Sequence, residues 1–274
     1  MSSQWQNFLR NLGEWRGSFA SLDAGGAVVD TTPSILTLEA ADQNRLVRFR
    51  LRRFGAEGYA SEPIRDTQED YRSLGRQVVF FANGSFGKGT LQVAPGTAFG
   101  GEFGFVAGDR RHRLVQLHHS DGRFQNLVLI REVRAGSDAQ ERPPLEASQL
   151  IGRWHGQAAT ISADWPEPDH ADCSLEVASS TADQLAFRSR LGPVEQVWSG
   201  RQQGRQLWLD GQPEVRLQWL PDGGYHLSPL QVSHRQAFAV EAGWLQGDGV
   251  LQRLIRRFDA SGAWHSTTLM QLSR

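Results

Sequence analysis

The sequence predicts an all-β protein made of two tandem antiparallel up-and-down barrels, each preceded by a short helix. Three observations lead to this fold class. Short runs of alternating apolar and polar residues recur along the chain, turn signals rich in Gly, Asp and Asn separate them, and one motif returns half a chain later. Alternation with a period of two indicates strands, and a meander of about eight to ten strands closes into a barrel without exposed edges.

The repeated motif sets the domain organisation. Residues 12–17 (LGEWRG) match residues 151–156 (IGRWHG), so that Gly13 and Gly152 stand 139 positions apart. Near the ends of the two halves, residues 113–115 (RLV) match residues 253–255 (RLI), 140 positions apart. Two pairs of matching segments, far apart in the sequence, have nearly the same offset, which indicates that one structural unit was duplicated. We predict a first domain over residues 1–135, a polar, Pro-bearing linker over 136–144 and a second domain over 145–274.

Each half begins with a segment that predicts a short helix. In the first, Ser2 or Ser3 can cap a helix whose apolar residues recur at helical spacing, namely Trp5, Phe8, Leu9 and Leu12. In the second, residues 145–151 follow two prolines and predict one or two helical turns. The apolar stripe of the first helix is expected to cover one end of its barrel.

The strands carry the residues that matter for a site. Phe99, Phe103 and Phe105 share one strand face, and Glu102 lies on the other. Arg131 shares its face with Leu127 and Leu129, where a charge needs a partner. Residues 78–81 (VVFF) are apolar on both faces, which predicts contact with the other barrel or with the first helix.

Composition excludes several classes of function. Lys and Arg number 29 against 30 Asp and Glu, and this balance gives no bulk attraction to nucleic acid. No apolar run reaches the roughly 18 residues of a membrane helix, and no basic-then-apolar signal pattern opens the sequence. We therefore expect a cytoplasmic protein without a membrane span. Cys173 is the single cysteine and is expected to be a small buried hydrophobe.

The sequence offers little for catalysis or metal binding. The 8 histidines are scattered, and no Cys cluster, phosphate-binding loop or nucleophile elbow occurs. We predict no metal site and no cofactor, and the sequence favours a binding protein over an enzyme. Arginine is the more informative residue type, because Lys88 is the only lysine. The guanidinium group offers a planar fork of donors that suits carboxylates.

Two resemblances refine this prediction. The Gly-x-Trp motifs at Trp15 and Trp154 are similar to the first-strand motif of the calycin superfamily, which includes the lipocalins. That resemblance implies that Trp15 closes the barrel base under Arg131 or Arg134 from the last strand. In the second half, Gln271 stands at the place of Arg131, which leaves only Arg274 as a partner for Trp154.

The first half also resembles an uncharacterised lipocalin-like family of photosynthetic microbes that is distantly similar to the phycobilin lyases. The segments that carry this resemblance are 75–86 (GRQVVFFANGSF), 101–105 (GEFGF), 109–115 (DRRHRLV) and 130–132 (IRE). It covers most of residues 1–134 and is weak over 145–274. It implies a barrel fold and, for the ligand, a tetrapyrrole or another apolar molecule.

These observations predict a ligand cavity in the first barrel. Phe99, Phe103 and Phe105 would supply apolar contacts inside it. Glu102 would be an ion-pair partner or, if a reaction occurs, a proton donor, with His112 and His119 as weaker alternatives for that role. The guanidinium groups that would hold an acidic tail belong to Arg111, Arg113 and Arg131.

Three functions remain open on the sequence. The first is a carrier of a hydrophobic, carboxylate-bearing small molecule such as a bilin, a carotenoid or a fatty acid. The second is a bilin lyase or isomerase. The third is an assembly factor with packed barrels that binds a protein partner rather than a ligand. A cavity with buried arginines would favour the first function over the third.

Overall fold

The computed structural model describes residues 3–23 and 25–274, and antiparallel strands make up most of them. The first half contains one short α-helix and a nine-stranded sheet in the order β4-β3-β2-β1-β9-β8-β7-β6-β5. Its elements are α1 (Gln4–Phe8), β1 (Gly13–Leu22), β2 (Val28–Ala41), β3 (Leu46–Arg53), β4 (Arg65–Tyr71), β5 (Val78–Phe80), β6 (Phe86–Gly89), β7 (Phe99–Ala107), β8 (Arg110–His118) and β9 (Phe124–Arg134).

The second half is a closed barrel of ten strands, each paired with its neighbours in sequence order. Its strands are β10 (Gly152–Ser162), β11 (Asp169–Thr181), β12 (Gln184–Leu191), β13 (Val194–Gln203), β14 (Gln206–Leu209), β15 (Val215–Trp219), β16 (Gly224–Pro229), β17 (Phe238–Leu245), β18 (Val250–Phe258) and β19 (Trp264–Ser273). The predicted fold class, all-β with tandem antiparallel meanders, is confirmed.

Each half begins with a short helical segment, as the sequence predicts. Ser3 caps α1 by accepting a hydrogen bond from the backbone of Gln6, whereas Ser2 lies outside the described residues. The α-helix ends at Phe8 and continues as a 3₁₀ turn, Leu9–Asn11, and the second half opens with the 3₁₀ turn Ala147–Gln149. In the described ranges, no helix has the length and apolar character needed to cross a membrane.

Both halves close their base in the same way. Trp15 is fully buried, its indole N–H donates to the Asn11 carbonyl at 2.9 Å, and the Arg134 guanidinium lies 4.3 Å from its ring. Trp154 is equally buried, and Arg274 lies 4.6 Å from its ring. Arg134 and Arg274 stand 140 positions apart, as the duplication requires. The structure therefore keeps one base-closing arginine in each half.

The two halves differ at one place in the meander. In the second half, β14 pairs with both β13 and β15 and completes the barrel. In the first half, residues 72–77 form no strand between β4 and β5, and these two strands are the edges of the sheet. The Gln4 amide on α1 donates to and accepts from the backbone of Phe80, which covers part of the β5 edge. The first meander therefore curls into a half-barrel without closing.

The halves pack through the outer faces of their sheets. One hydrophobic cluster joins β7 and β8 of the first half to β17 and β18 of the second. The Phe99 ring packs edge-to-face against the Phe258 ring, with centroids 5.2 Å apart, and Phe105 packs against Trp244. The placement of Phe99, Phe103 and Phe105 inside the first-half cavity was therefore wrong. These rings share one face as predicted, but that face meets the other barrel.

Residues 78–81 behave as the sequence predicts. Val79 and Phe81 belong to the cluster between the halves, whereas Phe80 packs against Phe8 of α1 with ring centroids 5.1 Å apart. Both faces of β5 are therefore covered, one by the second half and one by the first helix.

A buried carboxylate fixes the linker and both halves together. Asp222 is fully buried and accepts hydrogen bonds from Arg110 at 2.5 Å and from the backbone N–H of Arg142 at 2.8 Å. His112 Nδ1 lies 3.2 Å from the same carboxylate. Burial would raise the pKa of Asp222, but hydrogen bonding and the charges around it lower the pKa instead.

Candidate functional site

A cavity of about 480 Å³ lies inside the curled sheet of the first half. This volume is in the range of small-molecule sites. Residues of the 72–77 connector complete its wall where the second barrel has β14. Most of its lining is apolar or aromatic, and the charged side chains that reach it are Arg53, Arg65, Lys88, Glu69, Glu102, Arg111 and Arg113.

The alternation of strand residues places the charged side chains inside. On β8, Arg111 and Arg113 face the cavity, whereas His112 between them faces the second half. On β9, Glu132 faces inward, whereas Arg131 points outward and pairs with Glu141 at 2.6 Å. The prediction that Arg131 holds a ligand in the cavity was therefore wrong, because an odd-numbered residue of β9 lies on the outer face.

Arg113 is held completely by carboxylates. Its Nε and Nη2 donate to Glu132 at 3.0 and 2.9 Å, and its Nη1 donates to Glu102 at 2.8 Å. Burial alone would lower the pKa of Arg113, but the two carboxylates outweigh burial and raise it. Burial likewise opposes ionisation of Glu132, yet Arg113 and Arg111 keep its pKa low. Each of the three guanidinium nitrogens of Arg113 is therefore engaged by a carboxylate.

Arg111 is buried without full compensation. Its residue exposure is 4%, and its ion pair with Glu132 spans 3.7 Å, too long for a hydrogen bond. Within the described chain, its Nε and Nη1 have no hydrogen-bond acceptor. Burial lowers the pKa of Arg111 to about 10, with Glu132 acting in the opposite direction. The guanidinium lies 5.7 Å from the Trp15 ring and 5.8 Å from the Phe86 ring. A buried donor pair thus borders the cavity.

Arg53 is a second cation in the wall. Its guanidinium lies 4.1 Å from the centroid of the Phe19 ring, and its buried Nε lacks a hydrogen-bond acceptor among the described residues. Burial lowers the pKa of Arg53, and the nearby cations Arg65 and Arg113 lower it further. Sequence reasoning missed this residue. The signal was available, because Arg53 shares the strand face of Phe49 and Leu51 rather than that of Arg48, Arg50 and Arg52.

The other predicted site residues have simpler surroundings. Glu102 lies in the cavity wall as the ion-pair partner of Arg113, one of its two predicted roles. His112 is outside the cavity and stacks on Trp244 with centroids 5.6 Å apart. His119 is exposed beside the turn between β8 and β9. Arg113 and Glu102 therefore share a wall with Arg111, whereas the two histidines do not reach it.

The second barrel shows which of these charges the fold itself needs. Arg253 and Glu241 stand at the positions equivalent to Arg113 and Glu102 and form a buried ion pair at 2.8 Å. At the positions equivalent to Arg111, Arg53 and Glu132, the second barrel has Leu251, Leu191 and Leu272. The Arg–Glu pair is thus common to both halves, whereas the three other charges occur in the first half alone.

Nothing in the described chain supports a metal centre or a reactive thiol. No three His, Cys, Asp or Glu side chains of the described residues come together in a way that could hold a metal ion. Cys173 is buried in the core of the second barrel, and burial raises the pKa of its thiol to about 11. A thiol with that pKa is protonated at neutral pH and is a poor nucleophile.

In a comparison with known proteins, the two halves match different family models. Residues 1–137 match a family model described as the N-terminal domain of DUF3598, a domain of unknown function. Residues 141–274 match a model described as the C-terminal domain of biogenesis factor required for ATP synthase 1. No curated protein matches the chain.

The solved structures that are similar to the chain include two of interest. A protein of unknown function from the DUF3598 family of Nostoc punctiforme is 39% identical, with 100% of both chains covered and a TM-score of 0.92. An S-type phycobiliprotein lyase from Guillardia theta is 12% identical over 47% of this chain and 89% of its own, with a TM-score of 0.37. The second likeness is too low to bear on function.

Proposed function

The chain belongs to the DUF3598 family, and we propose that its first half binds a hydrophobic small molecule that carries a carboxylate. The molecule would occupy the cavity of about 480 Å³ inside the curled sheet. We also propose that the chain is a tandem lipocalin-like protein, with domains over residues 1–135 and 145–274.

One observation carries this proposal. The Nε and Nη1 donors of Arg111 are buried beside the cavity without an acceptor. A buried donor without an acceptor costs about 1–3 kcal/mol, and the cost is larger for a charged group. A carboxylate fits the need best, because a charged acceptor forms the stronger hydrogen bond with a guanidinium N–H. The second barrel, with Leu251 in this position, shows that the fold does not require the charge.

The rest of the lining supports an apolar body for the ligand. Phe19, Leu36, Leu51 and Ile130 face the cavity, so that carbon chains or rings would be removed from water there. The ion pairs of Arg113 are complete and need nothing from a ligand. The ligand expected from this lining is amphipathic, with one polar end at Arg111.

Calorimetric titration with dodecanoate at neutral pH tests the proposal. We expect the wild-type protein to bind this acid, and Arg111→Leu to weaken binding by about tenfold or more. Arg48→Leu is the matched control, because Arg48 is exposed on the outer face of β3 and should leave the affinity unchanged. Equal affinity of wild type and Arg111→Leu, or no binding by either, would contradict the proposal.

A second candidate function rests on a different observation. Residues 141–274 match a domain of a biogenesis factor required for ATP synthase, and the second barrel is closed around a packed core. These facts favour an assembly factor that binds a protein. Deletion of the gene in its native host, followed by native-gel measurement of assembled ATP synthase, tests this alternative. An assembly defect rescued equally by wild type and by Arg111→Leu would favour it over ligand binding.

The prediction of a bilin lyase or isomerase stays a prediction. A bilin carries carboxylates and would meet the requirement at Arg111, so it is one member of the proposed ligand class. For a reaction, Glu102 is the acid in the cavity wall, and it is already bonded to Arg113.

A further inference from the structure

The cavity has a cation at each of two ends, and we propose that its ligand is an elongated molecule with an anionic group at both ends. This inference rests on the proposed function and narrows it from carboxylate-bearing molecules to two-headed ones. It follows from the positions of Arg111 and Arg53 along strand β1, from the charge around Arg53 and from the second barrel.

The two guanidinium groups contact different rings of one strand. Arg111 lies near Trp15, at the end closed by α1, and Arg53 lies over Phe19. Trp15 and Phe19 are four residues apart on the same face of β1, which corresponds to about 13 Å along a strand. We infer from this spacing that a separate anionic group contacts each cation, which an extended chain with two anionic ends would supply.

The electrostatic surroundings of Arg53 call for an anion of its own. The neighbouring charges that shift its pKa are Arg65 and Arg113, which are both cations. Lys88 also reaches the cavity, and Glu102 there is engaged by Arg113. Glu69, which is exposed on β4, supplies one negative charge there. This end of the cavity therefore carries an excess of positive charge that an anionic group would offset.

Apolar side chains line part of the wall between the two cations. Leu36, Leu51 and Ile130 are apolar, and every guanidinium nitrogen of Arg113 already donates to a carboxylate. A ligand that bridges the two ends is therefore expected to have an apolar middle.

The second barrel lacks both end charges together. Leu251 and Leu191 occupy the positions of Arg111 and Arg53, although the Arg–Glu pair between them is kept. Within one chain, the open half has both cations and the closed half has neither. A ligand with a single anionic end would need only one of these two arginines.

Comparison of dodecanedioate with dodecanoate by calorimetric titration at neutral pH tests the inference. In the wild-type protein we expect the diacid to bind about tenfold more tightly than the monoacid. Arg53→Leu should abolish that difference, so that the two acids bind this variant with equal affinity. Arg53→Lys, which keeps the charge, should retain part of the difference and shows that a loss in Arg53→Leu does not come from misfolding.

The outcomes separate this inference from the proposed function. If dodecanoate binds in an Arg111-dependent manner but the diacid binds no better, the two-headed ligand is wrong and the carboxylate site stands. If an advantage of the diacid persists in Arg53→Leu, the second anion does not bind at Arg53. If neither acid binds, both proposals fail.

Discussion

Replacement of Arg111 by Leu, the residue at the equivalent position of the second barrel, should stabilise the unliganded protein. Burial lowers the pKa of this guanidinium from its ordinary value to about 10. At about 1.36 kcal/mol per pKa unit, the charged form is disfavoured in the folded state by about 3 kcal/mol. Against this, the guanidinium interacts with two distant aromatic rings, worth about 0.5–1 kcal/mol each, whereas the attraction of Glu132 is already included in the lowered pKa. We expect a net gain of about 1–2 kcal/mol.

Arg113→Leu provides the contrast on the same strand. Its removal would leave Glu132 and Glu102 buried without their main partner. Breaking a buried ion pair in this way costs about 3–5 kcal/mol. Two Arg→Leu changes two residues apart are therefore expected to shift stability in opposite directions.

Urea unfolding followed by tryptophan fluorescence measures both changes. Arg111→Leu should unfold at a higher urea concentration than wild type with the same slope, and Arg113→Leu at a lower one. If Arg111→Leu destabilises the protein as much as Arg113→Leu, Arg111 is a structural residue. The argument that its charge is kept for a ligand would then be refuted.

Three further predictions concern the framework. Trp15→Ala removes a fully buried indole under Arg134 and should cost about 3–5 kcal/mol in urea unfolding, and a loss under about 1 kcal/mol would contradict base closure. Burial lowers the pKa of His118 to about 4. Between pH 6.5 and 4 the unfolded chain therefore binds more protons than the folded protein. The free energy of unfolding should fall by up to about 3 kcal/mol as the pH drops through that window. His118→Gln should flatten that part of the profile, and an unchanged profile would show that another group causes it. Gly17→Ala would press a methyl group against the Arg131 carbonyl on β9 and should destabilise the first half by about 1–3 kcal/mol, whereas an unchanged midpoint would disprove the close approach.

The sequence predicted which residues share a strand face but not which face lies inside. Phe99, Phe103 and Phe105 do lie together, opposite Glu102. An apolar face normally turns toward its own core, and this rule placed them in the cavity. Strands β7 and β8 are buried on both faces, because the second half covers the outer one. Burial on both faces removes the polarity signal that distinguishes inside from outside.

The internal repeat predicted the residues at the base of each half better than the residues of the candidate ligand site. The two Gly-x-Trp motifs located Trp15 and Trp154, and the spacing of 140 also relates Arg134 to Arg274. The donors of Arg111 could not be recognised as free from the sequence, because they depend on which nitrogen atoms Glu132 reaches across the strands. The open edge of the first half was equally hidden, since it follows from the conformation of residues 72–77.

A crystal structure of the protein with dodecanoate tests the central claim most directly. We expect a carboxylate oxygen at about 2.7–2.9 Å from Nε or Nη1 of Arg111, with the alkyl chain along Leu51 and Ile130 toward Arg53 and no acid inside the second barrel. An acid bound elsewhere on the molecule, with the donors of Arg111 still facing an unfilled cavity, would contradict it.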